Sequence, residues 1–499
     1  MELSAQWKLL KKGAIPVRER DGAGGGFGSV NAPYDIAVIG GGPGGYVAAV
    51  YAARQGARVV LVEKDTPGGT CLNRGCIPTK ALIRTTEVYK TMQEAARYGC
   101  RAEKVEVDFK RAMARKDRVV KGLVKGVETL LAKHEVTVLH GLGRLVDKET
   151  VAVKTGDGEM LLKARHIILA TGSEPAALPI PGAASEAVID STQALELDEL
   201  PETMVIIGGG VIGMEFAFIF ARLGVKVTVI EYMDQILPPV DEDLAQEVFR
   251  SARMAGIQIY TQARVTAITE GPGGQAAVVF EDAVTGEAFP EITAEKVLMA
   301  VGRRPHLEGL GAVEIGVELD ADGRGIKVNE RMQTNIENIY AIGDVTAKIM
   351  LAHTASHQGL VAVDNILGRD TLMDYSAVPN AIFTDPEIAS VGVTEKEAEA
   401  GGLNIRVGRF LFAANGKALT MGASRGFVKL ITEADTGVII GGSIVGPGAT
   451  DLIGEITLAV QHRLTAEQVA RTIHAHPTLP EAIFEAAWAA ESGALHLAE

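Results

Sequence analysis

The chain has 499 residues with 57 glycines and 3 cysteines, 47% hydrophobic and 22% charged side chains, and a formal net charge of -14. At roughly 100 to 200 residues per domain this length makes two to four domains, with cores large enough to need no disulfide staples. The acidic balance opposes a phosphate-binding surface and excludes nucleic acid as a partner, and three cysteines suit a reducing compartment, where a pair serves chemistry rather than a framework.

Residues 1–33 mix Lys8, Lys11, Lys12, Arg18 and Arg20 with acids, lack the apolar block of a secretory signal and include a glycine-rich run from Gly22 to Gly28. They read as a flexible N-terminal extension of a cytoplasmic protein, with an organellar presequence as the alternative. The uncharged stretch 36–53 is long enough for a membrane span, but Pro43 and five glycines interrupt it. It reads as strand, tight turn and helix, so no membrane segment is expected.

The spacing GxGxxG occurs at Gly40, Gly42 and Gly45 and again at Gly208, Gly210 and Gly213. In so glycine-rich a chain the bare pattern arises by chance roughly 0.7 times, so its flanks decide. Each copy follows an apolar run that reads as a buried parallel strand, Tyr34-Asp35-Ile36-Ala37-Val38-Ile39 and Thr203-Met204-Val205-Ile206-Ile207. Each is followed by a helix-like segment and a second strand ending in an acid, Glu63 or Glu231, 18 residues after the third glycine in both cases. The first glycine makes the turn, the second admits a pyrophosphate, the third packs helix on strand, and the carboxylate meets ribose hydroxyls. Two dinucleotides in one chain imply electron transfer between them. Glu231 repels a 2'-phosphate, so the second site is expected to take NAD rather than NADP.

Between the motifs lies Gly68-Gly69-Thr70-Cys71-Leu72-Asn73-Arg74-Gly75-Cys76-Ile77-Pro78-Thr79-Lys80. Four residues separate Cys71 from Cys76, a distance a disulfide can bridge if the backbone bends at Gly75; half a zinc site is the competing reading, without a second ligand pair nearby. A helix expected from Thr79 favours a thiolate near its N-terminal end, and Lys80 adds positive charge. Cys100 has no partner motif. His476 and Glu481, in His474-Ala475-His476-Pro477-Thr478-Leu479-Pro480-Glu481, can form a base with an orienting acid; two packed histidines or a metal pair is the alternative.

Together with Ala170-Thr171-Gly172, Ala300-Val301-Gly302-Arg303 and Ala341-Ile342-Gly343-Asp344, these motifs resemble, in order, the pyridine-nucleotide disulfide oxidoreductases, and within them the branch that oxidises dihydrolipoamide. The resemblance runs from Tyr34 onward. It implies an α/β fold of two Rossmann-like dinucleotide-binding domains, for FAD and NAD, followed by an α+β dimerisation domain. The expected segments are 34–182 and 306–378 for FAD, 183–305 for NAD and 379–499 for dimerisation.

It also implies a redox-active disulfide of Cys71 and Cys76, an ion pair of Lys80 with Glu215 beside the flavin, and FAD contacts from Gly143, Gly172, Asp344 and Ala352. Gly302 closes the NAD module. His476 serves as base, held by Glu481, and completes the active site of the other subunit of an isologous homodimer. His474 is expected to be structural, and Pro480, where the family commonly has a small polar residue, places the local turn in question. No metal is implied. The implied reaction oxidises dihydrolipoamide on the lipoyl-bearing subunit of a 2-oxo acid dehydrogenase or glycine cleavage complex and reduces NAD. A sister disulfide reductase, or a silent nucleotide-binding scaffold, is the alternative.

Overall fold

A computed structural model describes residues 33–497; apart from Pro33, the expected N-terminal extension lies outside them. The chain forms two compact units, each assembled from three separated segments: residues 33–78, 114–175 and 303–374 in the first, and 79–113, 176–302 and 375–497 in the second.

The first unit is built on a seven-stranded sheet. Its parallel part places Tyr34–Ile39 between Val59–Glu63 and Gly158–Leu169, with Thr137–His140 beyond Val59–Glu63 and Ile339–Ala341 on the far side of Gly158–Leu169. The strands are almost continuously apolar because both faces are covered: Ile36, Ala37 and Val38 are fully buried. The long strand Gly158–Leu169 does two jobs. Residues 158–163 pair antiparallel with Thr150–Thr155, and residues 164–169 pair parallel with Tyr34–Ile39.

The second unit holds a five-stranded parallel sheet in the order Gln258–Tyr260, Lys226–Ile230, Thr203–Ile207, Lys296–Met299 and Val188–Ile189. A three-stranded antiparallel sheet, Ala263–Glu270, Ala276–Asp282 and Ile292–Ala294, accompanies it. Residues 378–446 of the same unit supply a five-stranded antiparallel sheet, whose apolar side forms one core with residues of the helices Ala449–Gln461 and Glu481–Glu491.

The second unit buries a lysine. Lys429, on the strand Phe427–Glu433, is 1% exposed. Its ammonium donates to Asp241 at 2.8 Å, to Asp243 at 3.1 Å and to Glu395 at 2.6 Å. Burial pushes the Lys429 pKa down, but the hydrogen bonds to Asp241 and Glu395 and the charge of Asp243 outweigh it and leave the pKa raised. A raised folded-state pKa stabilises fully below the unfolded-state value, and that stability is lost as pH rises through the folded one. Lys429→Met leaves three carboxylates facing one another with only Arg409, 3.7 Å from Asp243, as a nearby cation, and the second unit is expected to lose roughly 3 kcal/mol. Urea unfolding followed by tryptophan fluorescence checks this; a loss under about 1 kcal/mol would show that solvent already screens the cluster.

Candidate active site

The two glycine motifs fold alike down to individual hydrogen bonds. At the first, Gly40 has φ +105°, and a Cβ on Gly45 would lie 1.8 Å from the Gly40 carbonyl oxygen. At the second, Gly208 has φ +106°, and a Cβ on Gly213 would lie 1.9 Å from the Gly208 oxygen. No larger residue fits these positions, which is why glycine stands there. Gly42 and Gly210 cap the helices Pro43–Arg54 and Val211–Arg222 with extended backbone, so the first-turn amides are turned toward the cradle.

The two acids are fixed in the same way. Glu63 accepts from the Gly41 amide at 2.6 Å and from the Asp65 amide at 2.8 Å; Glu231 accepts from Gly209 at 2.5 Å and Met233 at 2.8 Å. Both are 7% exposed. Burial raises the pKa of Glu63 against the opposing pull of the Gly41 amide. Because the Glu231 carboxylate is held rigidly at the strand end, Glu231→Gln removes the charge with little change of shape. The NAD-over-NADP ratio of kcat/KM is expected to fall by about tenfold, measured with both nucleotides; an unchanged ratio would place discrimination elsewhere.

Cys71 lies in the short helix Gly69–Arg74, and Cys76 is the first residue of the 18-residue helix Cys76–Gln93. The helix starts three residues before the expected Thr79, since Pro78 falls in its first turn, where its missing N–H costs nothing. Gly75 joins the two helices in a conformation that turns the chain back: a Cβ there would lie 3.0 Å from the Thr70 oxygen and 3.4 Å from the Cys71 Cα. Asn73 pins the preceding loop by donating to the carbonyls of Thr66, Pro67 and Gly69 at 3.2, 3.3 and 3.0 Å. Cys100 is exposed, and its thiol faces the Tyr98 carbonyl at 3.9 Å.

Elsewhere in the first unit, the strand Ile339–Ala341 leads into the turn Gly343–Thr346, which carries Asp344. Two residues outside the expected set hold that carboxylate. Ser173 donates to Asp344 Oδ2 at 2.5 Å, and Arg303 donates from Nε to the Ser173 hydroxyl and from Nη2 to its carbonyl, both at 2.7 Å. The signal in the sequence is Arg303 directly after Val301-Gly302, a position that reads equally as a segment end.

Gly143 packs behind the cradle, where a Cβ would lie 3.0 Å from Ile39 Cγ2. Gly172, at φ +71°, accepts from the His306 amide at 2.9 Å. Ala352 opens the helix Ala352–Ile366. The first turn of that helix also holds Thr354, 2% exposed, whose Oγ1 has no hydrogen-bond partner. Glycine cradles that no side chain can fill, a buried acid at the strand end, free first-turn amides and an orphaned hydroxyl suit a dinucleotide with a polar ring system.

In the second unit Lys80, one turn along the helix from Cys76, donates to both oxygens of Glu215 at 2.9 Å. Glu215 is 4% exposed, which rules out a surface role. Its Oε1 also accepts from the Phe383 amide at 3.0 Å, and the Lys80 ammonium lies 4.5 Å from the Phe383 ring centroid. Asp385, two residues on, binds Lys90 of the same helix at 2.6 Å and Arg222. Burial pushes the Asp385 pKa up, but Arg222 and Lys90 bring it below the usual range. Gly302 has φ +115°, and its carbonyl accepts from the Ala176 amide at 3.0 Å.

His476 Nδ1 meets Glu481 Oε1 at 2.8 Å, and the other Glu481 oxygen accepts from the Thr478 amide at 2.7 Å. Pro480 caps the helix Glu481–Glu491, so the turn accommodates it and delivers Glu481 at the first helical position. The His476 side chain is 79% exposed within one chain. His474 differs: its side chain is 7% exposed, and its ring nitrogens meet Glu455 and the Thr472 carbonyl, each at 2.8 Å. Among the described residues no group of three or more His, Cys, Asp or Glu side chains is arranged to hold a metal, and no helix is long and apolar enough to cross a membrane.

Paired nucleotide cradles around a CxxxxC segment define a class, and comparison with known proteins agrees with it. The chain belongs to the pyridine nucleotide-disulphide oxidoreductase family, whose model matches residues 34–359, and the family's dimerisation-domain model matches residues 378–487. FAD and NAD are the cofactors of this flavoprotein class. The chain is 45% identical over 464 residues to dihydrolipoyl dehydrogenase of Chlamydia pneumoniae, covering 93% of this chain and 98% of that one. It is 42% identical over 476 residues to dihydrolipoyl dehydrogenase of Bacillus subtilis, covering 93% and 99%. The crystal structure of LpdA from Mycobacterium tuberculosis is similar with a TM-score of 0.84 at 31% identity, over 91% of this chain and 98% of that one.

Proposed function

We propose that this chain is a dihydrolipoyl dehydrogenase: it oxidises protein-bound dihydrolipoamide to lipoamide and reduces NAD to NADH. The observation that carries the reading is the His476–Glu481 pair. With Nδ1 engaged by Glu481 at 2.8 Å, Nε2 is the nitrogen left to take a proton from a dithiol. A disulfide reductase working on a dithiol needs such a base, and a nucleotide-binding scaffold does not.

In this reading Gly40, Gly42, Gly45, Glu63, Gly143, Gly172, Asp344 and Ala352 hold FAD, and Gly208, Gly210, Gly213, Glu231 and Gly302 hold NAD. His476 takes the proton of one substrate thiol, and the resulting thiolate attacks Cys71 of the Cys71–Cys76 disulfide. The S–S bond breaks and Cys76 leaves as a thiolate, which the first-turn amides of its helix favour. The second substrate thiol, deprotonated in turn, attacks the mixed disulfide, closing lipoamide and releasing Cys71. Flavin, when bound, accepts the electron pair of the dithiol and passes it to NAD as hydride. Glu215 keeps the Lys80 ammonium at a fixed place on the Cys76 helix, a charge that needs no reorganisation during turnover.

The exposure of His476 suits work in trans, with the dimerisation domain bringing the dyad to the partner's cysteines, so each active site would need two chains. The lipoyl group would arrive on a subunit of a 2-oxo acid dehydrogenase or glycine cleavage complex, in the cytoplasm, where the Cys71–Cys76 pair can cycle. Steady-state assays of the FAD-loaded enzyme test this. Dihydrolipoamide with NAD is expected to exceed glutathione disulfide with NADPH by at least about 100-fold in kcat/KM, and the reverse preference would refute it.

A further inference from the structure

In the second unit a loop of residues 231–241, without helix or strand, joins the strand Lys226–Ile230 to the helix Glu242–Met254. It begins at Glu231 and ends at Asp241. Between them the Leu237 amide donates at 2.9 Å to the carbonyl of Gly209, inside the second glycine cradle, while the Gly209 amide donates to Glu231. Both backbone polar groups of Gly209 are therefore held by this one loop.

The first cradle is closed in the same way by a different residue. There the Gly41 carbonyl accepts from the Gly68 amide at 2.8 Å, and Gly68 has φ +105°. Leu237 has φ +51°, a left-handed backbone that glycine adopts freely and leucine only against steric cost. A residue held in this way persists where its surroundings over-determine it, as at ligand clamps.

The Lys429 cluster supplies that constraint. Lys429 lies in a row of cross-strand neighbours, Asn380, Ser390, Ser443, Lys429 and Arg409, which runs over all five strands of the antiparallel sheet and contains no acid. Its ammonium instead takes Asp241 from the end of the loop and Asp243 from the first turn of the following helix. The loop side chains Ile236, Leu237 and Val240 share one apolar cluster with Phe427 and Val445 of the same sheet. Glu395, the third acid on the ammonium, belongs to the separate helix Glu395–Ala400.

We propose that Lys429 is a positioning residue for the nicotinamide nucleotide: through Asp241 it fixes the loop so that the strained Leu237 amide stays on Gly209 and the second cradle keeps the shape that takes a pyrophosphate. The inference rests on the functional reading above.

The test compares the FAD-loaded wild type with Asp241→Ala and Glu395→Gln. Asp241 makes no side-chain bond that caps its helix, so alanine removes the tie to Lys429 and not a cap. With dihydrolipoamide saturating, Asp241→Ala is expected to raise the KM for NAD by about tenfold and to leave kcat within about twofold of the wild type, the pattern of lost ground-state binding. Flavin reduction by dihydrolipoamide without NAD, which does not use the second cradle, is expected to proceed alike in all three enzymes. Glu395→Gln takes a carboxylate from the same ammonium but leaves both acids on the loop side, so its KM for NAD is expected to match the wild type. An unchanged KM in Asp241→Ala would overturn the proposal. So would an equal rise in Glu395→Gln, which would make the cluster a stability element only. A wild type whose flavin is not reduced by dihydrolipoamide would instead refute the functional reading itself.

Discussion

Cys76→Ser is expected to abolish oxidation of dihydrolipoamide, lowering kcat by more than about 1,000-fold. The serine keeps the first position of the helix Cys76–Gln93 and changes one atom, so the fold should be undisturbed. In the proposed mechanism, what disappears is the sulfur that leaves Cys71 and stores the electron pair, and a serine hydroxyl cannot replace it. NAD binding should be unaffected, because Glu231 and the second cradle form a separate set of hydrogen bonds. Turnover with dihydrolipoamide at more than about a tenth of the wild-type rate would remove the two cysteines from the mechanism.

His476→Gln is expected to lower kcat/KM for dihydrolipoamide by about 100 to 10,000-fold, the range for loss of a positioned base. Glutamine can still hydrogen-bond Glu481, so the loss measures proton transfer rather than collapse of the turn. Glu481→Gln should cost less, since the imidazole remains but its tautomer is no longer dictated. Burial pushes the Glu481 carboxyl up, but the Thr478 amide and the His476 ring bring it below the usual range. A depressed folded-state pKa stabilises above the unfolded-state value, and that stability is lost as pH falls through the folded one. The dyad therefore stays intact at neutral pH and comes apart only on the acid side. Glu481→Gln is expected to remove that acid-side loss of local stability, which hydrogen exchange at Thr478 can follow; an unchanged acid limb would mean that Glu481 does not anchor the loop.

The elements built from contiguous sequence were the legible ones. The two strand–glycine–helix–strand–acid runs are local patterns, and the structure repeats even their amide-to-carboxylate bonds. The bend at Gly75 was legible as well, because a Cβ there would crowd the Thr70 carbonyl at 3.0 Å. The start of the following helix was less so, since Pro78 reads as a breaker unless its place in the first turn is known.

Features that depend on distant segments were not legible. Ser173 and Arg303 are 130 residues apart, and Ser173 and Asp344 171 apart, yet they form one hydrogen-bonded line. Glu215 reads in isolation as a surface acid of a helix; its burial follows from Lys80 and Phe383, which lie far away along the chain. Lys429 interrupts the run Phe427-Val428-Lys429-Leu430-Ile431, a strand buried on both faces, and only the return of Asp241, Asp243 and Glu395 to the same place makes a buried ammonium tolerable. The exchange of segments between units, with residues 79–113 grouped with 176–302 and 375–497, leaves no periodic trace in the sequence.

The central claim is that electrons pass between a dithiol at Cys71 and Cys76 and a flavin bound at the first cradle. Anaerobic titration of the oxidised, FAD-loaded protein with NADH tests it most directly. A long-wavelength absorbance band, arising from a Cys76 thiolate against oxidised flavin, is expected in the wild type after one equivalent of NADH and is expected to be absent from NADH-reduced Cys76→Ser. Bleaching of the flavin by NADH without any such band in the wild type would contradict the account.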